Sequence, residues 1–362
     1  MNHPPAKHRL IPQLKGHVIL FVDFQRGSYA TVARLYESSL KTMGLDVEMV
    51  QTPQTAEERL FAQKEYQGCL IFHLTLGLDF QPVKSAVNIA LPYHEWSRYP
   101  ATWAQRLNTF DEIWVPSKHL ASTLVESGVE APIFFAPPAL DLENIAEKSS
   151  WESRKPFRFF FCGEPHFRKG HHLLIEAFMR TFSSPGNAVL TIKTSPTCIW
   201  KSPRKDIVFI REEWSRNRLL SHYAEQDAFV SASLGEGLGL PLAEAILAKL
   251  PVATNNWGGH ETLLSKDDAY FKIEHTEIPQ PYWCLPEYFT PGQQCGFSSV
   301  DEISKTLQRV AMSDAQQRKD HAEHSQNHLL SIFGSVPALN RIAERLNTYQ
   351  AHLDAQRMLH HA

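Results

Sequence analysis

Residues 227–264 read DAFVSASLGEGLGLPLAEAILAKLPVATNNWGGHETLL. The apolar run DAFVSA predicts a strand, the glycine-rich stretch a loop, Pro241 to Ala248 a helix, and PVAT a second strand. Gly235, Gly237 and Gly239 permit a tight turn and a close approach of backbone to a ligand, and Pro241 suits the first turn of the helix. The backbone N–H groups of Gly237, Leu238, Gly239 and Leu240 are expected to face the cleft at a helix N-terminus, where an anion is favoured. Glu236 and Glu244 stand with seven residues between them. Carboxylates repel phosphate, so this pair suits hydroxyl groups instead. A ligand hydroxylated at both ends and anionic in the middle fits both demands, and a nucleotide sugar is such a ligand.

A strand, a glycine-rich turn and a helix also open the dinucleotide-binding fingerprint G-x-G-x-x-G. Two residues argue against a nicotinamide enzyme. Leu240 stands where the third glycine belongs, and Asn255 and Asn256 occupy the region, about 20 residues on, where an acidic residue would hold a ribose.

Outward from this stretch, apolar runs alternate with amphipathic segments almost throughout, the pattern of parallel strands joined by helices. The first half predicts strands at His17–Phe24, Val47–Val50, Cys69–Leu74, Ala86–Leu91, Glu112–Val115 and Ile133–Ala136, with helices such as Tyr29–Met43 and Ser117–Glu126 between them. From Pro137 to Pro156 the pattern lapses into a polar, proline-bounded stretch that reads as a linker. Strand and helix then alternate again, and from Ser299 the chain reads as helical to its end, with Pro337–Met358 long enough to cross back over the first half. The expected organisation is an N-terminal Rossmann-like domain over 1–145, a C-terminal one over 156–334, and a returning helix over 335–362.

Composition narrows the function classes. The chain has 362 residues, with 36 Lys and Arg against 39 Asp and Glu and a formal charge of -3, so no global attraction to nucleic acid is expected. Its 5 cysteines form no CxxC pair and suggest a reducing cytoplasm rather than a disulfide framework. Cys69 and Cys162 sit in apolar runs and read as small buried hydrophobes. No apolar stretch reaches the roughly 18 residues of a membrane span, which leaves peripheral membrane contact at most. His321, His324 and His328 have helical spacing but lack a third ligand type at zinc spacing, and read as a solvated helix face.

EGLGLPLAEA resembles the signature of the retaining glycosyltransferases of family 4 (glycosyl transferases group 1), in which two such glutamates flank a glycine-rich loop. FFFCGEPHFRKGHHLLIEAF, residues 159–178, and DEIWVPSKHLASTLVESGVEAPIFFAPPALD, residues 111–141, extend the resemblance, which covers most of 85–312. It implies the GT-B fold, two Rossmann-like parallel-sheet domains facing across a cleft. The implied activity is transfer of a sugar, with retention, from a nucleotide-diphosphate donor to a hydroxyl of a glycan or lipid-linked acceptor. A GT-B protein that binds nucleotide sugar or glycan without turnover is the alternative.

The resemblance also assigns roles. Glu236 would hold sugar hydroxyls and Glu244 the ribose diol. Arg168 and Lys169, before Gly170, would meet the leaving diphosphate together with the Gly237–Leu240 amides, and Gly163 would close the preceding strand. Lys193, ending the strand AVLTIK, either reaches the donor phosphate or snorkels on the surface. The base would lie near Ile210–Glu213. Many relatives carry a histidine after the fourth strand. Here NIALPYHEWSRYPATW looks closer to a branch with Glu95, Arg98, Pro100 and Trp103 at its spacings, and His94 or Glu95 would meet the sugar or the acceptor. The loop Arg26–Ser28, with Gly27, would also face the cleft. No Asp-x-Asp occurs anywhere in the chain, so neither metal nor other cofactor is expected to carry the diphosphate charge.

Overall fold

The computed structural model describes residues 14–25, 27–140, 145–152, 155–164, 166–265, 269–281 and 289–350. Its first half is a six-stranded parallel sheet of β1 (His17–Val22), β2 (Asp46–Gln51), β3 (Leu70–Leu74), β4 (Val87–Ala90), β5 (Glu112–Val115) and β6 (Ile133–Phe135), in the spatial order β2-β1-β3-β4-β5-β6. The helices α1 (Gly27–Thr42), α2 (Ala56–Glu65), α3 (Ala101–Leu107) and α4 (Lys118–Glu126) connect these strands. α4 begins as its sequence suggests, with the Ser117 hydroxyl accepting from the Leu120 N–H.

The second half is another six-stranded parallel sheet: β7 (Phe157–Cys162), β8 (Ala188–Lys193), β9 (Ile207–Ile210), β10 (Ala228–Ser231), β11 (Val252–Thr254) and β12 (Phe271–Lys272), in the order β12-β11-β10-β7-β8-β9. Counted from β7 as strand one this is 6-5-4-1-2-3, the doubly wound order. β7 reads FRFFFC because helices cover both faces of a central strand: Phe159 and Phe161 enter the core with α5 (His171–Thr181), while Phe160 points the other way, toward Tyr223. α6 (Arg216–Ala224), α7 (Leu240–Leu247), the short α8 (His260–Leu263) and α9 (Val300–Met312) complete the layers. The helix expected from Pro241 starts one residue earlier, because Gly239 in the left-handed region (φ 92°) caps it.

An antiparallel hairpin of β13 (Thr276–Pro279) and β14 (Gln294–Phe297) follows β12. The sequence reading has no counterpart for it. Then come α10 (Ala315–Phe333) and α11 (Ser335–Asn347). α10 packs on the second half through Leu329 and Phe333, whereas Leu339, Ile342, Ala343 and Leu346 of α11 lie in the core under β1. Arg345 pins α11 there by pairing with the Glu112 carboxylate on β5. The helix expected to reach Met358 ends at Asn347, where Thr348 caps it; residues 351–362 lie outside the described part.

The expected linker is not a free tether. Lys148 is buried and its ammonium donates to the Gln226 carbonyl at 2.5 Å, with Asp227 at 3.7 Å. The two passages of chain between the halves meet where the Leu140 N–H donates to the Phe333 carbonyl at 2.8 Å. Among the described residues no helix is long and apolar enough to cross a membrane.

Candidate functional site

In a doubly wound sheet the crevice for a ligand opens outside the carboxyl ends of the two central strands, where the connections leave in opposite directions. Here these strands are β7 and β10. β7 leads through Gly163 to a 3-10 turn, Phe167–Lys169, and then to Gly170, whose left-handed φ of 70° starts α5. A Cβ on Gly170 would lie 2.0 Å from the Ala232 carbonyl oxygen, so only glycine lets this turn touch the loop after β10. The Leu234 N–H donates to the Arg168 carbonyl at 2.8 Å and ties the two loops together.

Glu236 sits at the junction and is 8% exposed. The Lys169 ammonium donates to both of its carboxylate oxygens at 2.7 and 2.8 Å, the Ser233 hydroxyl donates to Oε1 at 2.8 Å, and an Arg168 nitrogen stands 3.3 Å from Oε2. Burial pushes the Glu236 carboxyl up, but the charges of Lys169 and Arg168 outweigh it and hold the group well below the carboxylate range. Burial draws the Lys169 ammonium down, and Glu236 opposes that, so the pair stays charged. Arg168 also donates to the Gly235 carbonyl at 2.5 Å and reaches across to Glu95 of the first half at 3.3 Å.

Beside these cations, the backbone N–H groups of Gly237, Leu238, Gly239 and Leu240 make no hydrogen bond among the described residues. N–H groups of this kind at the start of a helix have the donor chemistry that suits an anion, as expected of them from the sequence. The side chains of this segment do other work. Leu238 is buried in the second core and Leu240 packs between both.

The glycines of the loop serve a purpose the sequence does not reveal. A Cβ on Gly235 would lie 2.3 Å from the Glu95 carbonyl oxygen, and one on Gly237 would lie 3.3 Å from the backbone of His94. Their close approach is to the first-half loop Tyr93–Arg98. From the other side the NNWGG segment closes in: a Cβ on Gly259 would meet the Gly237 carbonyl carbon at 2.6 Å, and the Gly259 N–H donates to the Glu236 carbonyl at 2.7 Å.

The loop Tyr93–Arg98 is itself embedded in the second half. Trp96 is fully buried among Leu234, Trp257 and Cys295. The hairpin holds the loop's end: the Gln294 N–H donates to the Ser97 hydroxyl at 2.8 Å, the Gln293 amide to the Arg98 carbonyl at 2.8 Å, and Arg98 to the Pro291 carbonyl at 3.3 Å. His94 is 2% exposed, with its ring edge-on to Tyr99 and Trp103. Its Nε2 lies 2.7 Å from the Arg98 carbonyl, which only accepts, so this nitrogen carries the proton. Burial lowers its pKa to about 4, which keeps the imidazole neutral. Of the spaced set Glu95, Arg98, Pro100 and Trp103, only Glu95 turns toward the cations. Pro100 precedes α3, and the Trp103 ring fills the space beside Gly77.

Glu244, on α7, is 3% exposed and lies on the other flank of β7. The Tyr223 hydroxyl donates to its Oε2 at 2.8 Å and Arg216 pairs with Oε1 at 2.5 Å. Burial and the Glu244 charge raise the neighbouring Cys162 thiol to about 12, so it stays protonated. Lys193 ends β8 with its ammonium donating to the Thr194 carbonyl at 2.9 Å and 5.7 Å from the Trp214 ring. Gly163 receives its backbone bond, with its N–H donating to the Lys193 carbonyl at 3.0 Å. Gly27 opens α1 in the first half, and Arg26 lies outside the described residues.

Four residues near the crevice have no site role in the sequence reading. Ser233 and Asn255 brace the glycine loop, the Asn255 amide donating to the Ser233 carbonyl at 2.9 Å. His260, buried beside Gly239, is held neutral by burial with a pKa of about 4. Its position directly after NNWGG is the one signal that marks it. Arg216 carries no motif at all.

Residues 156–279 match the family described as Glycosyl transferases group 1. No curated protein matches the chain in sequence. Among solved structures, sucrose-phosphate synthase from Thermosynechococcus elongatus is similar with a TM-score of 0.69 at 12% identity, covering 94% of this chain and 100% of that one. Anabaena HepE, solved with UDP and glucose, gives 0.65 at 14% identity, with 93% and 100% covered. The α,α-trehalose 6-phosphate synthase of Burkholderia multivorans gives 0.61 at 10% identity, with 94% and 99% covered. The fold is GT-B, with two Rossmann-like domains. The matched segment supports glycosyl transfer as the class of chemistry.

Proposed function

We propose that the protein is a retaining, metal-independent glycosyltransferase that moves a sugar from a nucleotide-diphosphate donor to a hydroxyl of a glycan or lipid-linked acceptor. The carrying observation is Lys169 and Arg168 on Glu236 at the mouth of β7 and β10, followed in the chain by four amides that make no hydrogen bond among the described residues. Cleaving the bond to the anomeric carbon leaves growing charge on the diphosphate, and fixed cations with oriented N–H groups stabilise that charge most in the transition state. Lys169 and Arg168 supply the cations that an Asp-x-Asp-held metal supplies in other glycosyltransferases, and the sequence has no such motif.

Oε1 of Glu236 is taken up by Lys169 and Ser233, so it is Oε2, which accepts from Lys169 and faces Arg168 at 3.3 Å, that would accept from a sugar hydroxyl. The same ion pair fixes the carboxylate and the cation at one spacing, so sugar and diphosphate are registered together. Glu95, partly exposed and facing Arg168, stands on the acceptor side and orients that hydroxyl. His94 is a brace for its loop and holds no proton for the reaction. The passage of the donor base lies at the end of β9, and Lys193 supports the outer phosphate.

HepE was solved with UDP, so uridine diphosphate is the first nucleotide to test, followed by the guanosine and adenosine forms. Calorimetric binding is expected for at least one of them, and binding of none overturns the donor assignment. Glu236→Ala is expected to keep nucleoside diphosphate affinity while losing transfer to a mixed set of glycan acceptors. Donor binding by the wild type without transfer or donor hydrolysis would favour the non-catalytic alternative.

A further inference from the structure

Two cations and two carboxylates meet where the halves face each other. Lys169 and Arg168 come from the loop after β7, Glu236 from the loop after β10, and Glu95 from the first half. Their charges sum to zero. A diphosphate brought to Lys169 and Arg168 thus finds cations already matched, and the added negative charge is opposed at close range unless one carboxylate gives way.

The two carboxylates are not held alike. Glu236 accepts from Lys169 through both oxygens at 2.7 and 2.8 Å and from Ser233 at 2.8 Å, and its side chain is 10% exposed. Glu95 has one polar side-chain contact among the described residues, with Arg168 Nη2 at 3.3 Å, and its side chain is 27% exposed. The backbone of Glu95 is fixed in place. Its carbonyl oxygen lies 2.3 Å from where a Cβ on Gly235 would stand, and the next residue, Trp96, is fully buried. What remains free to turn is the carboxylate end, and solvent reaches it.

We propose that Glu95 is the exchangeable counter-ion of Arg168: the donor diphosphate takes its place on the guanidinium, and the carboxylate returns when the nucleoside diphosphate product leaves. This rests on the nucleotide-sugar reading above and goes further by naming the group that competes with the diphosphate for its cation. The other bonds of Arg168 need not change. Its Nη1 donates to the Gly235 carbonyl at 2.5 Å and faces Glu236 at 3.3 Å, which leaves Nη2, the nitrogen on Glu95, to swap partners. One anion replaces another, so a guanidinium whose side chain is 9% exposed never loses its counter-charge. A competitor built into the site lowers the affinity for every diphosphate that needs Arg168, and the product leaves faster for it.

The test measures calorimetric affinities of wild type, Glu95→Gln and Glu95→Asp for uridine, guanosine and adenosine diphosphates, with thermal midpoints to check the fold. Glu95→Gln keeps the shape and removes the charge, and is expected to bind the preferred nucleotide about fivefold or more tighter than wild type. Glu95→Asp keeps the charge but withdraws it by one methylene from Arg168, and should tighten binding by about twofold or more. Unchanged or weaker binding in Glu95→Gln overturns the inference. So does tighter binding in Glu95→Gln with wild-type affinity in Glu95→Asp, the sign of a general charge effect rather than an exchanged contact. Should Glu95→Gln not fold, Glu95→Asp carries the comparison alone, and an affinity no tighter than that of wild type overturns it. Binding of no nucleoside diphosphate by wild type or either variant overturns the donor reading itself, whereas equal binding by all three overturns only this inference.

Discussion

The two sides of the crevice are built on different principles. On the second half, the loops after β7 and β10 gather charge: Lys169 and Arg168 close on Glu236, and the Gly237–Leu240 amides, which make no hydrogen bond among the described residues, follow it in the chain. On the first half, the loop after β4 contributes mostly shape. Trp96 is a plug, His94 a neutral strut, and Arg98 a tether to the hairpin, with Glu95 as its one charge toward the site. In the proposed reaction one side holds the leaving group and the other holds the first side in place. Mutations should therefore separate into those that damage chemistry and those that damage the join.

The largest separation is expected at Trp96. Trp96→Ala empties a fully buried ring's volume between the halves, and the cost for such a change is about 3–5 kcal/mol. Urea unfolding should show that loss, while nucleoside diphosphate affinity stays within about twofold because its ligands are all on the other side. An affinity that fell as steeply as the stability would erase the division.

Lys169→Ala is the mirror case. Removing one fixed donor to developing oxyanion charge costs about 3–4 kcal/mol, or a factor of roughly 10²–10³ in turnover. Steady-state rates should fall by that factor at little cost in the urea midpoint. Wild-type turnover in this variant would remove the cation from the mechanism.

Acid sharpens the contrast on the first side. His94 is neutral when folded, with a pKa of about 4, and takes a proton readily near 6.5 when unfolded. The unfolded chain then binds more protons between these values, so the stability present above pH 6.5 is lost as the pH falls toward 4, by roughly 3 kcal/mol at most for this one group. His260 follows the same sign on the second side. In His94→Asn the fall in thermal midpoint between pH 6.5 and 4 should be smaller than in wild type; an identical fall would mean that His94 protonates freely.

Gly235→Ala is the most specific of the four. Its Cβ would meet the Glu95 carbonyl oxygen, a backbone atom, at 2.3 Å, so the join between the halves has to shift, at a cost of at least about 1–3 kcal/mol. If the glycine exists for the join, thermal stability drops and nucleotide affinity persists. If it exists for the ligand, the order reverses.

The strands and their order of appearance were legible from apolar runs, because central parallel strands are apolar on both faces and short. FRFFFC and AFVS needed no tertiary knowledge. The hairpin Thr276–Pro279 with Gln294–Phe297 was not legible, since three of the four residues in its first strand are exposed and its pairing spans a long insertion. At the site, Glu236 and Lys169 could be read because their residue types have one economical explanation together. His94 and the spaced Glu95, Arg98, Pro100 and Trp103 looked chemical for the same reason, yet most of them turn inward, and only packing against another part of the chain decides that. Arg216 could not be found at all, as nothing local distinguishes a helix-opening arginine that meets Glu244 from one that meets water.

The bond between Leu140 and Phe333 has a mechanical consequence. Two chain crossings tied side by side form a ribbon rather than a pair of independent threads, and Lys148 anchors one side of it into the second half. Such a ribbon bends easily across its width and resists both twisting and sliding. Any opening of the crevice would be expected as a swing about the line where these two crossings meet, a geometry that returns Glu95 to its place opposite Arg168.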